Sequence, residues 1–222
     1  MFLITAATKY EVEPLTNGLS IEQGVITPLK PGVSLLITGV GSAPTAFYLT
    51  KALANMPNLT IVNIGVAGAY AKDIELGSIV IVKRDTFADY GADDKGSFVS
   101  QFDLGIANPN TFPFQNGWMH WEHQDLFGIA NKFQGVTGVT LAKSSGSEGL
   151  INQLIERYSP QIETMECASV FYTCLQMNVP FVCIRSISNW VEPRNKERWN
   201  MPLAIANLYS ATVEFIDRHS QN

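Results

Sequence analysis

Apolar and polar positions alternate along this chain between two kinds of segment. Met1 to Ala7, Val33 to Val40, Thr60 to Gly68, Ser78 to Val82, Val136 to Ala142 and Phe181 to Ser188 are short, nearly continuous apolar runs. Their length and their polar or glycine-rich bounds predict buried strands. Between them, apolar residues recur every three or four positions: Ala46, Phe47, Leu49, Leu53 and Ala54; Leu150, Ile151, Leu154, Ile155 and Tyr158; and Ile205, Leu208, Thr212 and Phe215. These stripes predict amphipathic helices over 43–56, before Pro160 and over 201–218. A further amphipathic helix is expected from Glu166 to the residues before Pro180, and Glu11 and Glu13 mark a helix start beside Pro14. Strands alternating with helices, without repeats or a linker, predict one domain over residues 1–222, of class α/β, layered α/β/α.

The segment from Gly96 to Gln124 breaks the pattern, with Phe98, Phe102, Phe112, Phe114, Trp118 and Trp121 set among Gly, Pro and Asn. Aromatics in a long loop pin it to the core, cover an apolar part of a ligand, or form a subunit interface.

Composition narrows the class. A chain of 222 residues with 46% hydrophobic and 16% charged residues buries a sizeable core and is not disordered. A net charge of -5 with no basic cluster argues against a nucleic-acid partner. Cys167, Cys174 and Cys183 lie in apolar stretches without metal-ligand spacing and read as reduced core thiols. His120 and His123 have no third ligand in view, so no metal is expected. The first apolar run is short and lacks a basic leader, and no run reaches the ~20 residues of a membrane span. A cytoplasmic protein with no membrane partner is therefore expected.

Gly39-Val40-Gly41 between a strand and a helix suggests a dinucleotide turn, but Pro44 stands where the third glycine belongs and no acidic residue follows at the required distance. No cofactor is expected. The chemistry gathers instead in residues 162–191, where Glu166 follows Met165 at a helix start and Ser188-Asn189 ends an apolar strand. The carboxyl ends of strands are where open α/β sheets bind ligands.

The run T-M-E-C-A-S, followed about twenty residues on by V-P-F-V-C-I-R-S-I-S-N, resembles the nucleoside phosphorylase and nucleosidase superfamily, and within it most nearly the futalosine hydrolases. The hydrolytic branch usually shows E-M-E-x-A-x and V-P-F-x-x-x-R-x-x-S-D, so Thr164 and Asn189 replace a glutamate and an aspartate. The resemblance implies a central mixed sheet, a purine nucleoside as small-molecule partner and a homodimer. It implies Glu11 as the base that orients water, Met165 beneath the sugar, Glu166 on the ribose hydroxyls and Gly68 in the glycine turn facing ribose and base. Phosphorylases of the superfamily hold phosphate with an arginine near Asn63 and a serine at Val66. An amide and an isopropyl group cannot neutralise an oxyanion, and Lys9 is the only cation in the first loop, so water is the expected nucleophile.

An amide at Asn189 cannot donate a proton as an aspartic acid could, but it can hydrogen-bond to N7 and O6 of a departing 6-oxopurine. Ser188 is expected to orient it, and Arg185 to serve a buried ion pair. Trp190, with one cation from Arg194 to Arg198, would suit a carboxylated aromatic 5′ extension. The expected reaction is hydrolysis of futalosine to hypoxanthine and dehypoxanthine futalosine in menaquinone biosynthesis. Alternatives are a methylthioadenosine/S-adenosylhomocysteine nucleosidase, a purine nucleoside phosphorylase, or a nucleoside-binding protein without chemistry.

Overall fold

The computed structural model describes residues 1–16, 18–122 and 132–219. Its strands are β1 (Phe2–Ala6), β2 (Ile26–Lys30), β3 (Val33–Ile37), β4 (Thr60–Ala69), β5 (Ile79–Asp85), β6 (Gly91–Asp94), β7 (Ser97–Ser100), β8 (Met119–His120), β9 (Gln134–Thr140), β10 (Ile162–Thr164) and β11 (Phe181–Trp190). Its helices are α1 (Glu13–Thr16), α2 (Ser42–Asn55), α3 (Glu148–Tyr158), α4 (Cys167–Gln176) and α5 (Met201–His219). Each apolar run became a strand and each apolar stripe a helix. Burial on both faces explains the runs, and one buried face explains most of the stripes, but Phe47 of α2 and Ile155 of α3, expected on the buried faces, are exposed because they lie at the edges of their stripes.

The sheet runs β10, β9, β5, β11, β4, β1, β3, β2, with β8 beside β5, while β6 and β7 form a separate hairpin. β1 lies parallel to β3 and β4, and β4 parallel to β11, whereas β5 is antiparallel to β11. The sheet is therefore mixed, as expected. β10 also pairs antiparallel with the end of β4, so β4, β11, β5, β9 and β10 close into a ring. Helices cover the two faces: α4 packs Phe171 edge-on against Phe181, centroids 4.8 Å apart, and α5 packs Phe215 against Phe2 at 5.6 Å. The architecture is a three-layer α/β/α sandwich.

The structure adds what the pattern did not show: β2, the β6–β7 hairpin, β8 and the three-residue β10. The strand expected to stop at Ser188 continues through Trp190, with a bulge between Ile187 and Asn189. The aromatic segment is pinned to the core. Trp121 donates its indole N–H to the Phe181 carbonyl, Trp118 meets Tyr158 edge-on at 6.0 Å, and Phe114 lies 6.2 Å from Tyr172. All three cysteines are buried and free. Among the described residues no helix is long and apolar enough to cross a membrane, and no cluster of His, Cys, Asp and Glu could hold a metal. His123 lies outside the described residues.

Candidate active site

β1, β4 and β11 run parallel and deliver their carboxyl ends to one place. β10 crosses the end of β4 with Glu163 opposite Gly68, and Asn189 of β11 pairs with the same glycine from the other side. The cavity built there has a volume of about 460 Å³ and is lined by residues that include Glu11, Gly68, Met165, Glu166, Ser188 and Asn189. Six of the seven residues singled out from the sequence therefore meet in one cavity, although they come from four separate segments.

Glu11 lies in a short 3₁₀ turn, Tyr10–Val12, just after β1. Its carboxylate accepts hydrogen bonds from the Thr8 N–H (2.8 Å), the Thr8 hydroxyl (2.9 Å) and the Val66 N–H (3.3 Å). Only glycine fits beneath it, because a Cβ on Gly65 would lie 2.8 Å from Glu11 Oε1. Glu13 is exposed.

Glu166 caps the amino end of α4 and accepts a 2.8 Å bond from the Gly41 N–H. Gly41 adopts φ 93°, a conformation natural to glycine. The G-x-G turn thus aims an N–H at a carboxylate instead of cradling a dinucleotide. Burial raises the Glu166 pKa, and the nearby Glu11 charge adds to this, while the Gly41 N–H and the Arg185 guanidinium oppose it. Thr164 accepts a bond from the Cys167 N–H and so ties the first turn of α4.

Arg185 is fully buried and, among the described residues, makes no ion pair, contrary to expectation. It donates to the carbonyls of Asn63 and Ile184 and to the Asn63 side-chain oxygen. Its register partner is Gly65, so its charge lies beneath the carboxylates without touching them. The Asn63 amide is spent on Thr5 and Arg185 and points no group into the cavity.

At the other end, the Ser188 hydroxyl donates to Asn189 Oδ1 at 2.9 Å, and Asn189 Nδ2 donates to the Trp190 carbonyl at 3.1 Å. A Cβ on Gly68 would lie 3.0 Å from Val191 Cγ2 and 3.1 Å from Asn189 Nδ2, so glycine is what lets these two side chains approach, while Glu163 Cγ would be 3.5 Å away, at ordinary contact distance. Trp190 is not among the lining residues: its indole N–H bonds the Ile74 carbonyl, and Lys72 Nζ lies 5.3 Å from its ring. Two aromatics, Tyr10 and Trp199, and one cation, Arg194, line the cavity among the described residues; the Arg194 guanidinium lies 5.2 Å from the Trp199 ring centroid and bonds Ser144 at 3.1 Å. No aromatic of the segment 96–122 lines the cavity.

Glu163 was missed. Its carboxylate accepts the Ser145 N–H at 2.9 Å and the Tyr70 hydroxyl at 2.7 Å, and burial together with this carboxylate raises the Tyr70 pKa strongly. In sequence it lies in the mixed segment Gln161-Ile162-Glu163-Thr164-Met165-Glu166, with no spacing that marks it. Among the lining residues the charges are Glu11, Glu163, Glu166 and Arg194, a surplus of negative charge that disfavours an anionic co-substrate.

The family model of the phosphorylase superfamily matches residues 3–217. The chain belongs to the phosphorylase superfamily. Among its superfamily relatives, the futalosine hydrolase of Streptomyces coelicolor is 30% identical over 82% of this chain and 78% of its own. A 5′-methylthioadenosine/S-adenosylhomocysteine nucleosidase of Haemophilus influenzae is 27% identical over 97% of this chain and 98% of its own. The same fold occurs in the Neisseria meningitidis 5′-methylthioadenosine/S-adenosylhomocysteine nucleosidase solved with methylthio-immucillin-A. That structure aligns with a TM-score of 0.78 at 19% identity, over 97% of each chain.

Proposed function

We propose that this member of the superfamily is a nucleosidase that hydrolyses futalosine to hypoxanthine and dehypoxanthine futalosine, a step of menaquinone biosynthesis. The observation that carries the reading is Asn189, held by Ser188 at the base end of the cavity where an acid would be needed to protonate a leaving adenine. Water attacks C1′, and the C1′–N9 electron pair passes to the purine. Glu11 takes the proton of the attacking water, and the ring nitrogen of the departing base is protonated from solvent. Glu166 accepts hydrogen bonds from the 2′- and 3′-hydroxyls over Met165, contacts that strengthen as positive charge builds on the ribose. The Asn189 amide donates to the N7 and O6 edge, where negative charge develops on a 6-oxopurine. Arg194 over Trp199 at the rim suits the carboxylated aromatic 5′ substituent. Action as a cytoplasmic homodimer belongs to the same proposal.

A methylthioadenosine/S-adenosylhomocysteine nucleosidase is the second reading, favoured by the Haemophilus influenzae relative that aligns over nearly its whole length. Hypoxanthine release from futalosine and adenine release from methylthioadenosine, each with and without phosphate, separate the readings. Phosphate-independent release from futalosine alone supports the proposal. Release from methylthioadenosine alone favours the second reading, and release only with phosphate would make the chain a phosphorylase.

A further inference from the structure

We infer that Thr140, directed by the buried Asp85, is a positioning residue for Glu166: it caps α4 in place of the Glu166 side chain and so leaves that carboxylate for the ribose hydroxyls; this rests on the nucleosidase reading above. The opening N–H groups of a helix have no partner within it, and the side chain at the capping position ordinarily accepts the one two or three residues on. Glu166 holds that position in α4, yet its side chain makes no capping bond. The donors it would take are already occupied. The Ala168 N–H bonds Thr140 Oγ1 at 2.8 Å, the Cys167 N–H bonds Thr164 Oγ1 at 3.2 Å, and the Ser169 N–H bonds the Glu166 carbonyl at 2.9 Å. The Glu166 carboxylate is thereby free to face the cavity it lines.

Both capping hydroxyls come from outside the helix. Thr164 of β10 and Thr140 of β9 are register partners, and Asp85 stands on β5, the next strand. All three residues are buried. The two hydroxyl oxygens lie 3.1 Å apart, and Thr140 donates to Asp85 Oδ1 at 2.9 Å. Each hydroxyl carries one hydrogen and accepts through two lone pairs. With the Thr140 hydrogen committed to Asp85, its oxygen accepts from Ala168 and Thr164, and the chain runs one way, from Thr164 to Thr140 to Asp85. Asp85 Oδ2 has no hydrogen-bond partner among the described residues, although a buried polar atom without one is costly. Holding Thr140 is the task that accounts for a carboxyl group in that place. Without the Thr140 hydroxyl the Ala168 N–H is unpaired, and the Glu166 carboxylate turns back to cap it, drawn by the positive end of the helix. The ribose hydroxyls then lose their acceptor.

Thr140→Val keeps the shape and deletes the hydroxyl, whereas Thr140→Ser keeps the hydroxyl and deletes a methyl group. Calorimetric titration measures binding of formycin B, a 6-oxopurine C-nucleoside whose glycosidic bond resists hydrolysis, and of its 2′-deoxy form. The parent and T140S should favour the ribonucleoside by roughly 10- to 100-fold, the range for a hydrogen bond to a charged group. T140V should bring the two nucleosides to within a few-fold of each other. Asp85→Leu should do the same, and the double variant no more than either alone, because the two residues act in one chain. A part in packing alone would lower Tm in T140S and T140V alike and leave both ratios at the parental value, which overturns the inference. A D85L protein that folds and keeps the parental ratio overturns it equally; if D85L does not fold, the comparison of T140V with T140S decides. Equal binding of the two nucleosides by the parent would reject the placing of Glu166 on the ribose and the inference with it. Failure to cleave futalosine while the ratios hold would reject the proposed substrate and leave the assignment of Thr140 standing.

Discussion

Replacing Glu11 with glutamine removes the charge and the proton acceptor while leaving a side chain of the same size. Three donors converge on the carboxylate: the Thr8 N–H and hydroxyl on Oε2, and the Val66 N–H on Oε1. If the glutamine oxygen takes the Oε2 position, both Thr8 bonds survive and the new NH₂ faces the Val66 N–H. One donor is then unpaired, at a cost of about 1–3 kcal/mol, which a domain stable by about 5–15 kcal/mol tolerates. Loss of a general base costs about 10²- to 10⁴-fold in rate, equivalent to about 3–5 kcal/mol of barrier. The protein's own donors occupy the carboxylate in the free enzyme, and its partner in the reaction is water. E11Q should therefore lower kcat for futalosine by at least about 100-fold and leave KM within a few-fold. Release of hypoxanthine, followed by coupled oxidation of the free base, measures both constants. A kcat within about threefold of the parent, in a variant with a normal melting profile, would show that Glu11 is not the base.

Burial raises the Glu166 carboxyl pKa in the folded state above its ordinary value near 4.5. The stability this group contributes is complete below the ordinary value and is lost as pH rises through the folded one. Glu166→Gln cannot titrate, so its Tm relative to the parent should climb between weakly acid and neutral pH while futalosine turnover falls; a pH-independent Tm difference would contradict this. Asn189→Asp restores an acid at the base end and should raise the ratio of kcat/KM for 6-amino over 6-oxo substrates by about tenfold or more; an unchanged ratio would remove Asn189 from the account of specificity. Gly138→Ala places a Cβ 2.5 Å from Oδ2 of Asp85, a fully buried carboxyl group whose pKa burial raises, and should cost about 1–3 kcal/mol. Gly149→Ala in α3 meets nothing within 4 Å and should raise Tm slightly, so calorimetry of the two alanine variants gives opposite signs. Arg194→Ala should raise KM for futalosine and leave KM for inosine unchanged, and equal effects on both would detach Arg194 from the 5′ group.

The sequence by itself determined the local elements and the residues at their ends. Solid apolar runs and helical stripes need no partner to be read, since each reports only which faces of its own segment are buried. Glu11, Glu166 and Asn189 stand at the junctions of such elements, so pattern and motif together reached them. Tertiary structure alone decided which neighbours they keep. Glu163 belongs to a three-residue strand whose place is fixed by antiparallel pairing with the end of β4, a contact across about ninety residues of chain. Trp190 and Trp199 were likewise beyond local pattern. The bulge in β11 sets which of its residues faces the cavity, so Asn189 lines it and Trp190 does not, while Trp199 arrives from beyond the strand. A side chain's periodicity records that a face is buried. What lies opposite that face is fixed only when distant strands pair and close the ring.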